Sequence, residues 1–561
     1  MSNTNVDKTY KKLLEIRKRE DLKVQSNPYL KEEYQLRYYQ IIGMLHMFMV
    51  KRFILGDDTG IGKTLQTIAT FANIKKKDPD YKLMIICPSS VMYQWRSEID
   101  KFCNNLTTYI VESKDIKYVD GVKLKSKNYI TGYNARKFQF EEFKKEDRDV
   151  VIFNYNTLST DYSLIKDIVT NNKVMVVFDE CTAFKNTKTN THENARQLSK
   201  IADRVYGLSA TIIKNDLVES YAIFRVIMPY VFGTLTEFKK NYCILEKKQL
   251  WKGKGKRGKV VSTIVGYKNL EFFKKVIDPY YLGRKKSHVA KDLPEIISKS
   301  ISFDMDKQQE RIYQDALNGL LNYEEYNSVP LQEFLKSNNK EIKDEGGGFN
   351  EENKKIDKLT ALMYCQQIVN SPYTLGIDAP SAKESELLRI VEDEIPNDKV
   401  VIYSRFKKMV NRLEDILKSN LGVNVLKITG DIDNATREEY KNKFNNSDDH
   451  NIMLINSAAK EGINLQSSGY LIFYDLPFSY GDFLQIIGRI HRIGSEHSNI
   501  FLMYLLGRGT VDEKTYEILY NKKDLFDKVL GDSAVGAIDT SSKANADDLF
   551  IKMMEYIKKT S

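Results

Sequence analysis

The feature that most constrains the fold is a repeated alternation between short apolar runs and stretches with helical spacing. Each run is followed by polar or glycine-rich residues and then by a helical pattern. The runs are Arg52–Leu55, Leu83–Cys87, Val150–Phe153, Val174–Phe178 and Val205–Leu208 in the first half, and 400–403, 424–428, 451–455, 471–474 and 500–506 in the second. Continuous apolar strands that alternate with helices are typical of parallel sheets covered on both faces. The predicted fold is α/β, with two doubly wound parallel-sheet domains in tandem.

Between the two sets of runs, residues 216–380 are mostly helical in pattern. This region contains a basic segment, Lys252–Lys259, and an acidic glycine-rich stretch at 345–348. We interpret it as helical protrusions from both domains joined by a flexible connection. The predicted boundaries are an N-terminal helix at 1–29, a first domain with its protrusion at 30–300, a second domain with its protrusion at 301–534 and a tail at 535–561.

Composition excludes several classes of protein. The 561 residues are 42% hydrophobic, which is too apolar for a disordered polyelectrolyte. The net charge of +10 fits a nucleic-acid partner only where it is clustered. The five cysteines are scattered with no CxxC pair, which disfavours disulfides and a cysteine zinc site. Neither a signal peptide nor a membrane span is visible, and we expect a cytoplasmic protein.

A glycine-rich loop follows the first apolar run. Gly56–Thr64 reads Gly-Asp-Asp-Thr-Gly-Ile-Gly-Lys-Thr and leads into a helical pattern. Such a loop sets backbone N–H groups and a helix N-terminus against phosphate oxygens. Lys63 would reach the β- and γ-phosphates of a nucleotide and Thr64 would ligate Mg²⁺. By itself the match also fits a glycine turn that caps a structural helix, because Asp57 stands where the strict pattern has glycine.

Two adjacent acids follow another apolar run. Val174–Phe178 ends in Asp179 and Glu180. This pair suits a carboxylate that holds a metal through water, followed by a base that activates the attacking water. Two acids after a strand can also form a solvated turn or a helix start. Their position after a run expected of a nucleotide-binding sheet favours the functional interpretation.

Taken in order, the motifs of this chain resemble those of superfamily-two ATPases of the SWI/SNF type. The resemblance extends from about Leu36 to Leu519. Its main motifs are Leu36–Gln40, Asp57–Thr64, Ile86–Ser89 with Gln94-Trp95, Asp179-Glu180, Leu208–Thr211 and Gln485–Gly494. Further agreement comes from Leu282–Lys286, Lys291–Pro294, Gln366–Pro372 and Gly462–Leu465. Any one motif is weak, but the ordered set is specific.

The resemblance implies ATP and Mg²⁺ as cofactors and assigns roles to individual residues. Glu180 would be the hydrolytic base, and Asp179 would join Thr64 in holding the metal. The second domain would supply Gln485, Arg489 and Arg492, and the charge of the two arginines would stabilise the transferred phosphoryl group on closure. A surface ion pair on a helix is the alternative for the arginines. The nucleotide-binding residues would be Gln40, Asp57, Asp58, Thr59, Gly60, Ile61, Gly62, Lys63, Thr64 and Gly462.

The chain departs from the family pattern at three positions. Cys181-Thr182 follows the acid pair where the family has a small residue and a histidine, so the histidine that links the ATP site to the interdomain cleft is missing. Ile212 replaces a proline, and Lys460 stands where a small residue is usual. The first two departures concern coupling between sites, not hydrolysis.

Polar residues that end strands in both domains form a predicted nucleic-acid track. Small hydroxyl and amide side chains with exposed backbone N–H groups suit phosphate contacts that carry no sequence information. For any single residue, helix capping is the competing explanation. The predicted contacts are Ser89, Ser90, Asn156, Thr157, Ser404, Arg405 and Lys460, and the basic segment Lys252–Lys259 could extend the track unless it is a solvated hairpin or a disordered loop.

These features predict a DNA-dependent ATPase. Together with the resemblance, they lead us to expect a compact ATP-dependent translocase or remodeller of double-stranded DNA, in the cytoplasm of a bacterium or a virus-infected cell. We expect it to act as a monomer without sequence specificity, with a protein partner left open. The alternatives are a strand-separating or annealing helicase that remodels forks and an ATP-gated nucleic-acid clamp with little turnover. Intact Lys63, Glu180, Arg489 and Arg492 argue against the clamp.

Overall fold

The computed structural model describes residues 3–23, 26–119, 122–123, 125–210, 212, 217–252, 256–289, 293–317, 358–396, 398–447, 451–460, 463–492 and 495–519. One compact unit holds the described residues up to 289, and a second holds those from 293 onward. None of the described helices combines the length and the apolar character needed to cross a bilayer. The predicted connection at 345–348 and the predicted tail lie outside the described residues.

The first unit is built on a seven-stranded parallel sheet with the order β11-β1-β8-β7-β2-β6-β3. Its strands are β1 Arg52–Leu55, β2 Lys82–Cys87, β3 Thr108–Ile110, β6 Val150–Asn154, β7 Val174–Asp179, β8 Arg204–Leu208 and β11 Tyr281–Leu282. Two antiparallel ribbons join β4 Tyr118–Val119 to β5 Val122–Lys123 and β9 Cys243–Lys252 to β10 Lys256–Tyr267.

Helices connect the strands of this first sheet and cover its faces. They are α1 Asn3–Ile16, α2 Tyr38–Met49, α3 Lys63–Lys77, α4 Met92–Phe102, α5 Gly132–Lys145, α6 Tyr155–Thr160, α7 Tyr162–Asn171, α8 Asn190–Ile201, α9 Leu217–Ile227, α10 Leu235–Tyr242, α11 Leu270–Ile277 and α12 Lys286–Val289. Strand β2 shows why both faces need cover, because Met84 and Ile86 belong to one core cluster while Leu83 and Ile85 belong to another. Successive side chains of a strand point to opposite faces, so a continuous apolar run fills two cores.

The second unit contains a six-stranded parallel sheet with the order β12-β17-β16-β13-β15-β14. Its strands are β12 Glu295–Phe303, β13 Val400–Tyr403, β14 Val425–Ile428, β15 Ile452–Ile455, β16 Tyr470–Phe473 and β17 Asn499–Gly507. Its helices are α13 Lys307–Leu317, α14 Lys358–Asn370, α15 Ala382–Arg389, α16 Lys407–Leu421, α17 Asn434–Asn446 and α18 Tyr480–Ile490. All ten apolar runs of the sequence form strands, so the predicted pair of parallel α/β sheets is confirmed.

The described part of the region between the two sets of runs contains more strand than the sequence predicted. The segment around Lys252–Lys259 forms the backbone of the β9–β10 ribbon on either side of residues 253–255, which lie outside the described residues. Strand β12 is an edge strand in which Ile301 and Phe303 are buried while 295–300 are exposed, so it lacks a continuous apolar run. The predicted domain boundary between 300 and 301 falls inside β12.

Candidate active site

The glycine-rich loop lies between β1 and α3, and its conformation depends on glycine. Gly60 and Gly62 have φ angles of 84° and 87°, in the left-handed region that favours glycine. A Cβ atom at Gly62 would lie 2.4 Å from Nε2 of Gln40. Helix α3 begins at Lys63 and has no acidic residue in its first turn. The loop therefore presents an uncompensated helix N-terminus, which is suited to an anion.

Gln40, which the resemblance assigns to nucleotide binding, packs against this loop from α2. Its Nε2 donates to the carbonyl oxygen of Ile61 at 3.3 Å, and its Oε1 accepts from the backbone N–H of Arg37 at 2.9 Å. The side chain is 6% exposed. The structure thus brings Gln40 to the phosphate loop and fixes the orientation of its amide.

Lys63 closes the loop on itself. Its Nζ donates to the carbonyl oxygens of Asp57 at 2.7 Å and Asp58 at 3.2 Å. These carbonyls hold the ammonium beside the loop. A nucleotide phosphate would have to replace them as the partner of Lys63.

The structure explains why Asp57 stands where the strict loop pattern has glycine. Its carboxylate is fully buried and accepts from Nε and Nη2 of Arg284 at 2.9 and 2.5 Å. Gln66 donates to the same carboxylate at 3.1 Å, and Arg284 also donates to the carbonyl oxygen of Tyr39 at 2.5 Å. This bidentate pair ties the loop to the chain that follows β11. The motifs Asp57–Thr64 and Leu282–Lys286 did not by themselves indicate that Asp57 and Arg284 form a pair.

The two acids lie at the same edge of the sheet as the loop. Leu208 in β8 is in register with both Leu55 in β1 and Asp179 in β7, so the loop and the acids are two strand spacings apart, about 10 Å. Ser209 lies between them and donates its hydroxyl to Oε2 of Glu180 at 3.5 Å. Glu180 has a φ angle of 50°, which is uncommon for a residue with a side chain. Strain of this kind is found at functional sites.

Burial and the neighbouring charge of Glu180 raise the pKa of Asp179 to about 7, while the Trp95 hydrogen bond and the Lys63 ammonium act in the opposite direction. A buried carboxylate of this kind gains from a cation close by. The carboxylate and the hydroxyl of Thr64 at the start of α3 are hard oxygen donors of the type Mg²⁺ prefers, so these residues fit that ion. In the part of the chain that the structure describes, no group of three or more His, Cys, Asp or Glu could hold a metal. Phosphate and water would supply the remaining ligands.

Two donors to Asp179 were missed by sequence reasoning. The indole Nε1 of Trp95 donates to Oδ2 of Asp179 at 2.7 Å, and the Tyr155 hydroxyl donates to the backbone carbonyl of Asp179 at 2.7 Å. Trp95 belongs to the motif Ile86–Ser89 with Gln94-Trp95, but its spacing along the chain does not indicate that Asp179 is its partner.

The predicted nucleic-acid residues of the first unit differ in exposure. Ser89 and Ser90 lie in the short turn between β2 and α4, where Ser89 is exposed and Ser90 is partly exposed. Asn156 is exposed in the first turn of α6. Thr157 is buried, and its backbone N–H donates to Oδ1 of Asn154, which caps the helix. Helix capping accounts for Thr157, and its nucleic-acid contact stays a prediction.

In the second unit, Arg489 joins two predicted motifs. From α18 it donates through Nε to the carbonyl oxygen of Gln485 and through Nη1 to the carbonyl oxygen of Ile463, each at 3.0 Å. Gln485 is 1% exposed, and Arg492 follows the end of the helix and is partly exposed. Gly462 lies outside the described residues. Arg489 thereby holds the chain after position 462 against α18.

Ser404 and Arg405 are engaged inside the second unit. The Ser404 hydroxyl donates to Oδ2 of Asp475 at 2.5 Å, and the backbone N–H of Arg405 donates to Oδ1 of the same carboxylate at 2.8 Å. The Arg405 guanidinium lies 3.8 Å from the ring centre of Phe478, and burial lowers its pKa. Lys460 ends a short turn, Ser457–Lys460. Their nucleic-acid contacts also remain predictions.

Two family models match the chain in succession. Residues 34–374 match the SNF2-related domain, and residues 382–494 match the helicase conserved C-terminal domain. The first match alone covers more than half of the 561 residues.

The chain is similar to longer proteins from several organisms. It is 26% identical to a Caenorhabditis elegans SWI/SNF-related matrix-associated actin-dependent regulator of chromatin subfamily A containing DEAD/H box 1 homolog, covering 91% of this chain and 53% of that protein. It is 24% identical to the Bacillus subtilis putative ATP-dependent helicase/translocase YwqA, covering 88% and 49%. The chain spans about half the length of these relatives.

A solved structure, the Sulfolobus solfataricus SWI2/SNF2 ATPase core in complex with dsDNA, is 23% identical in sequence. The likeness covers 96% of this chain and 99% of that one, with a TM-score of 0.39.

The family model of the SNF2-related domain matches more than half of this chain, and the helicase C-terminal model follows it in order. The chain therefore belongs to the SNF2-related family of helicase-like proteins.

Proposed function

We propose that the chain is an ATP-dependent translocase or remodeller of double-stranded DNA that hydrolyses ATP with Mg²⁺. The observation that carries the proposal is the juxtaposition, at one edge of the first sheet, of the phosphate loop and the acid pair Asp179-Glu180. A loop that binds phosphate beside a carboxylate able to accept a proton from water is the arrangement that nucleotide hydrolysis needs. Membership of the SNF2-related family supports the same activity.

Each residue at this edge has a proposed task. Lys63 moves from the loop carbonyls to the β- and γ-phosphates of ATP, which the N-terminus of α3 also faces. Glu180 accepts a proton from the water that attacks the γ-phosphate. Thr64 and Asp179 would hold Mg²⁺, which supplies positive charge to the phosphates when bound. Gln40 reads the adenine, and the loop from Asp57 to Gly62 encloses the phosphates.

The second unit is proposed to complete the site. Charge that develops on the transferred phosphoryl group is stabilised by arginine, and an arginine finger can contribute a large part of the rate. Arg492 is proposed for this role. Arg489 holds Ile463 against α18 and, with Gln485, is proposed to contribute to the same site. Hydrolysis then depends on closure of the two units.

Double-stranded DNA is the proposed partner. Ser89, Ser90 and Asn156 offer exposed polar groups at the carboxyl edge of the first sheet, a pattern suited to backbone phosphates. Such contacts carry no sequence information, so binding would be insensitive to base sequence. The proposed location is the cytoplasm, in agreement with five free, buried cysteines. A monomer is proposed, with a protein partner left open.

A triplex-displacement assay tests translocation. We expect the wild-type protein to displace a third strand from duplex DNA when ATP is present. Glu180→Gln should bind ATP but leave the third strand in place, because only the base is lost. Glu141→Gln is the matched control, since Glu141 lies exposed on α5 and should leave displacement unchanged. Displacement by Glu180→Gln at the wild-type rate would refute the assignment of the base. Fork unwinding without triplex displacement would indicate a strand-separating helicase, and ATP binding without either activity would indicate a clamp.

A further inference from the structure

Asp179 receives two hydrogen bonds from side chains outside its own strand. Trp95 in α4 holds one carboxylate oxygen through its indole N–H, and Tyr155 in α6 holds the backbone carbonyl, each at 2.7 Å. Trp95 is 2% exposed, so its donor is desolvated and oriented by packing. The first bond fixes the rotation of the carboxylate, and the second fixes the peptide that joins Asp179 to Glu180.

The two donors come from the parts of the first unit that carry the proposed DNA contacts. Trp95 lies in the first turns of α4, directly after the turn that contains Ser89 and Ser90. Tyr155 is the residue before Asn156. Each donor is therefore within six residues of an exposed side chain proposed to contact a phosphate, and rigid helical geometry separates the two.

The attachment of both donors is stiff. The Trp95 ring belongs to a buried core cluster on one face of the sheet. The Tyr155 ring packs edge-on against Phe184, with 6.3 Å between the ring centres, and Asn154 caps the helix that Tyr155 begins. A shift of the start of either helix would displace its donor relative to Asp179, because Trp95 is fixed by the core around it and Tyr155 is held against Phe184.

We propose that Trp95 and Tyr155 are positioning residues that transmit DNA binding at the carboxyl edge of the first sheet to the Asp179-Glu180 pair. The proposal rests on the proposed function, since it names how that function is regulated within one unit. Trp95 holds Oδ2 of Asp179, Oδ1 accepts from the backbone N–H of Glu180 at 3.0 Å, and Tyr155 holds the carbonyl of the peptide that leads into the left-handed Glu180. The route needs no histidine at position 182, where this chain has threonine.

The test compares two single-group deletions with two matched controls. Trp95→Phe and Tyr155→Phe each remove a donor that reaches Asp179. Tyr93→Phe, on the same helix as Trp95, removes a hydroxyl that donates to Glu112 at 2.8 Å, and Tyr109→Phe removes one that donates to Glu142 at 2.6 Å. Neither control touches Asp179, but each removes a hydrogen bond from the same unit.

Three readouts separate positioning from general damage. With a non-hydrolysable ATP analogue bound, Mn²⁺ affinity measured by electron paramagnetic resonance should fall about tenfold in Trp95→Phe, as expected when a partner that orients a metal ligand is lost. The kcat of ATP hydrolysis with duplex DNA should fall about tenfold while KM for ATP changes little. Tyr155→Phe should lower the ratio of the rate with duplex DNA to the rate without it.

Equal Mn²⁺ affinity in Trp95→Phe and Tyr93→Phe, together with equal stimulation by DNA in Tyr155→Phe and Tyr109→Phe, would overturn the proposal. If Trp95→Phe lost its fold, Tyr155→Phe would still decide the matter, because it deletes one oxygen atom. Failure of the proposed function looks different, since the wild-type protein itself would then show no stimulation by duplex DNA. The Mn²⁺ comparison between Trp95→Phe and Tyr93→Phe would still test the placement of Asp179.

Discussion

At the residue scale, the phosphate loop depends on a buried charge pair. Asp57 is fully buried, and Arg284 holds both of its oxygens. Removal of one member of such a pair leaves an uncompensated charge in the interior, which costs about 3–5 kcal/mol. We therefore predict that Arg284→Ala lowers the apparent melting temperature and weakens binding of a fluorescent ATP analogue, with Arg284→Lys intermediate because it loses the bidentate fork.

Arg19→Ala is the matched control for this prediction. Arg19 pairs with Asp21, but both side chains are mostly exposed, so the pair should be dispensable. Identical melting and nucleotide affinity in Arg284→Ala and Arg19→Ala would contradict the role given to Arg284.

A second prediction at this scale concerns acid. His46 is fully buried, its Nδ1–H donates to the carbonyl oxygen of Ile42 at 2.8 Å, and Nε2 accepts from Nε of Arg17 at 3.0 Å. Burial, reinforced by the charge of Arg17, lowers the pKa of His46 to about 3. Between pH 6.5 and 3 the unfolded chain binds a proton that the folded chain does not, so stability falls as the pH falls.

The difference in His46 protonation alone should lower the free energy of unfolding by about 2 kcal/mol between pH 7 and 5. Melting curves at pH 7 and 5 measure the effect. We predict that His46→Gln loses less melting temperature over this interval than the wild-type protein or His497→Gln, which changes a partly exposed histidine. Equal losses in all three proteins would show that His46 is not the titrating group.

Sequence reasoning at this scale found the residues but not their partners. Lys63, Asp179 and Glu180 were recognisable because a loop and a strand end restrict residue types locally. The pairs Asp57–Arg284 and Asp179–Trp95 join positions 227 and 84 residues apart. Contacts of this kind depend on the order of strands in the sheet, which spacing along the chain does not specify. Burial of Ser404 was missed for the same reason, since its partner Asp475 ends a different strand.

At the scale of elements, prediction succeeded where burial on both faces imposed a continuous apolar run. Strands β1 and β13 have the predicted bounds, and the other predicted strands differ by one residue at one or both ends. In the two large sheets, the strands that were missed are short or at a sheet edge: β3 has three residues, β11 has two, and β12 is exposed along 295–300. Water on one face removes the need for an apolar run, so the pattern gave no signal.

Strand β12 yields the prediction for this scale. It pairs with β17 from Glu295↔Asn499 to Phe303↔Gly507, so a fragment that starts at 301 would lack most of the edge strand. We predict that fragment 293–561 melts cooperatively and stays monodisperse, whereas fragment 301–561 melts lower and associates through the exposed edge of β17.

Circular dichroism melts and gel filtration of the two fragments provide the measurement. Fragment 286–561 is the control for length and should behave like 293–561. Equal stability of the fragments that start at 293 and 301 would show that β12 adds little to the second unit.

At the scale of the whole molecule, both parallel α/β units are proposed to contribute residues to ATP hydrolysis. The first unit carries the loop and the acid pair, and the second carries Arg489 and Arg492. Most of the proposed DNA affinity comes from backbone phosphates. Binding should therefore weaken steeply with salt and vary little with base sequence.

If duplex DNA drives ATP hydrolysis, the steady-state ATPase rate should depend on which nucleic acid is present. The steady-state ATPase rate of the full chain is compared without nucleic acid, with duplex DNA, with single-stranded DNA and with RNA, at two salt concentrations. We expect duplex DNA to stimulate the ATPase rate strongly, independently of the DNA sequence and less at the higher salt concentration. Glu180→Gln should show no turnover under any condition. A rate unchanged by duplex DNA, or raised by RNA alone, would contradict the claim that duplex DNA drives hydrolysis.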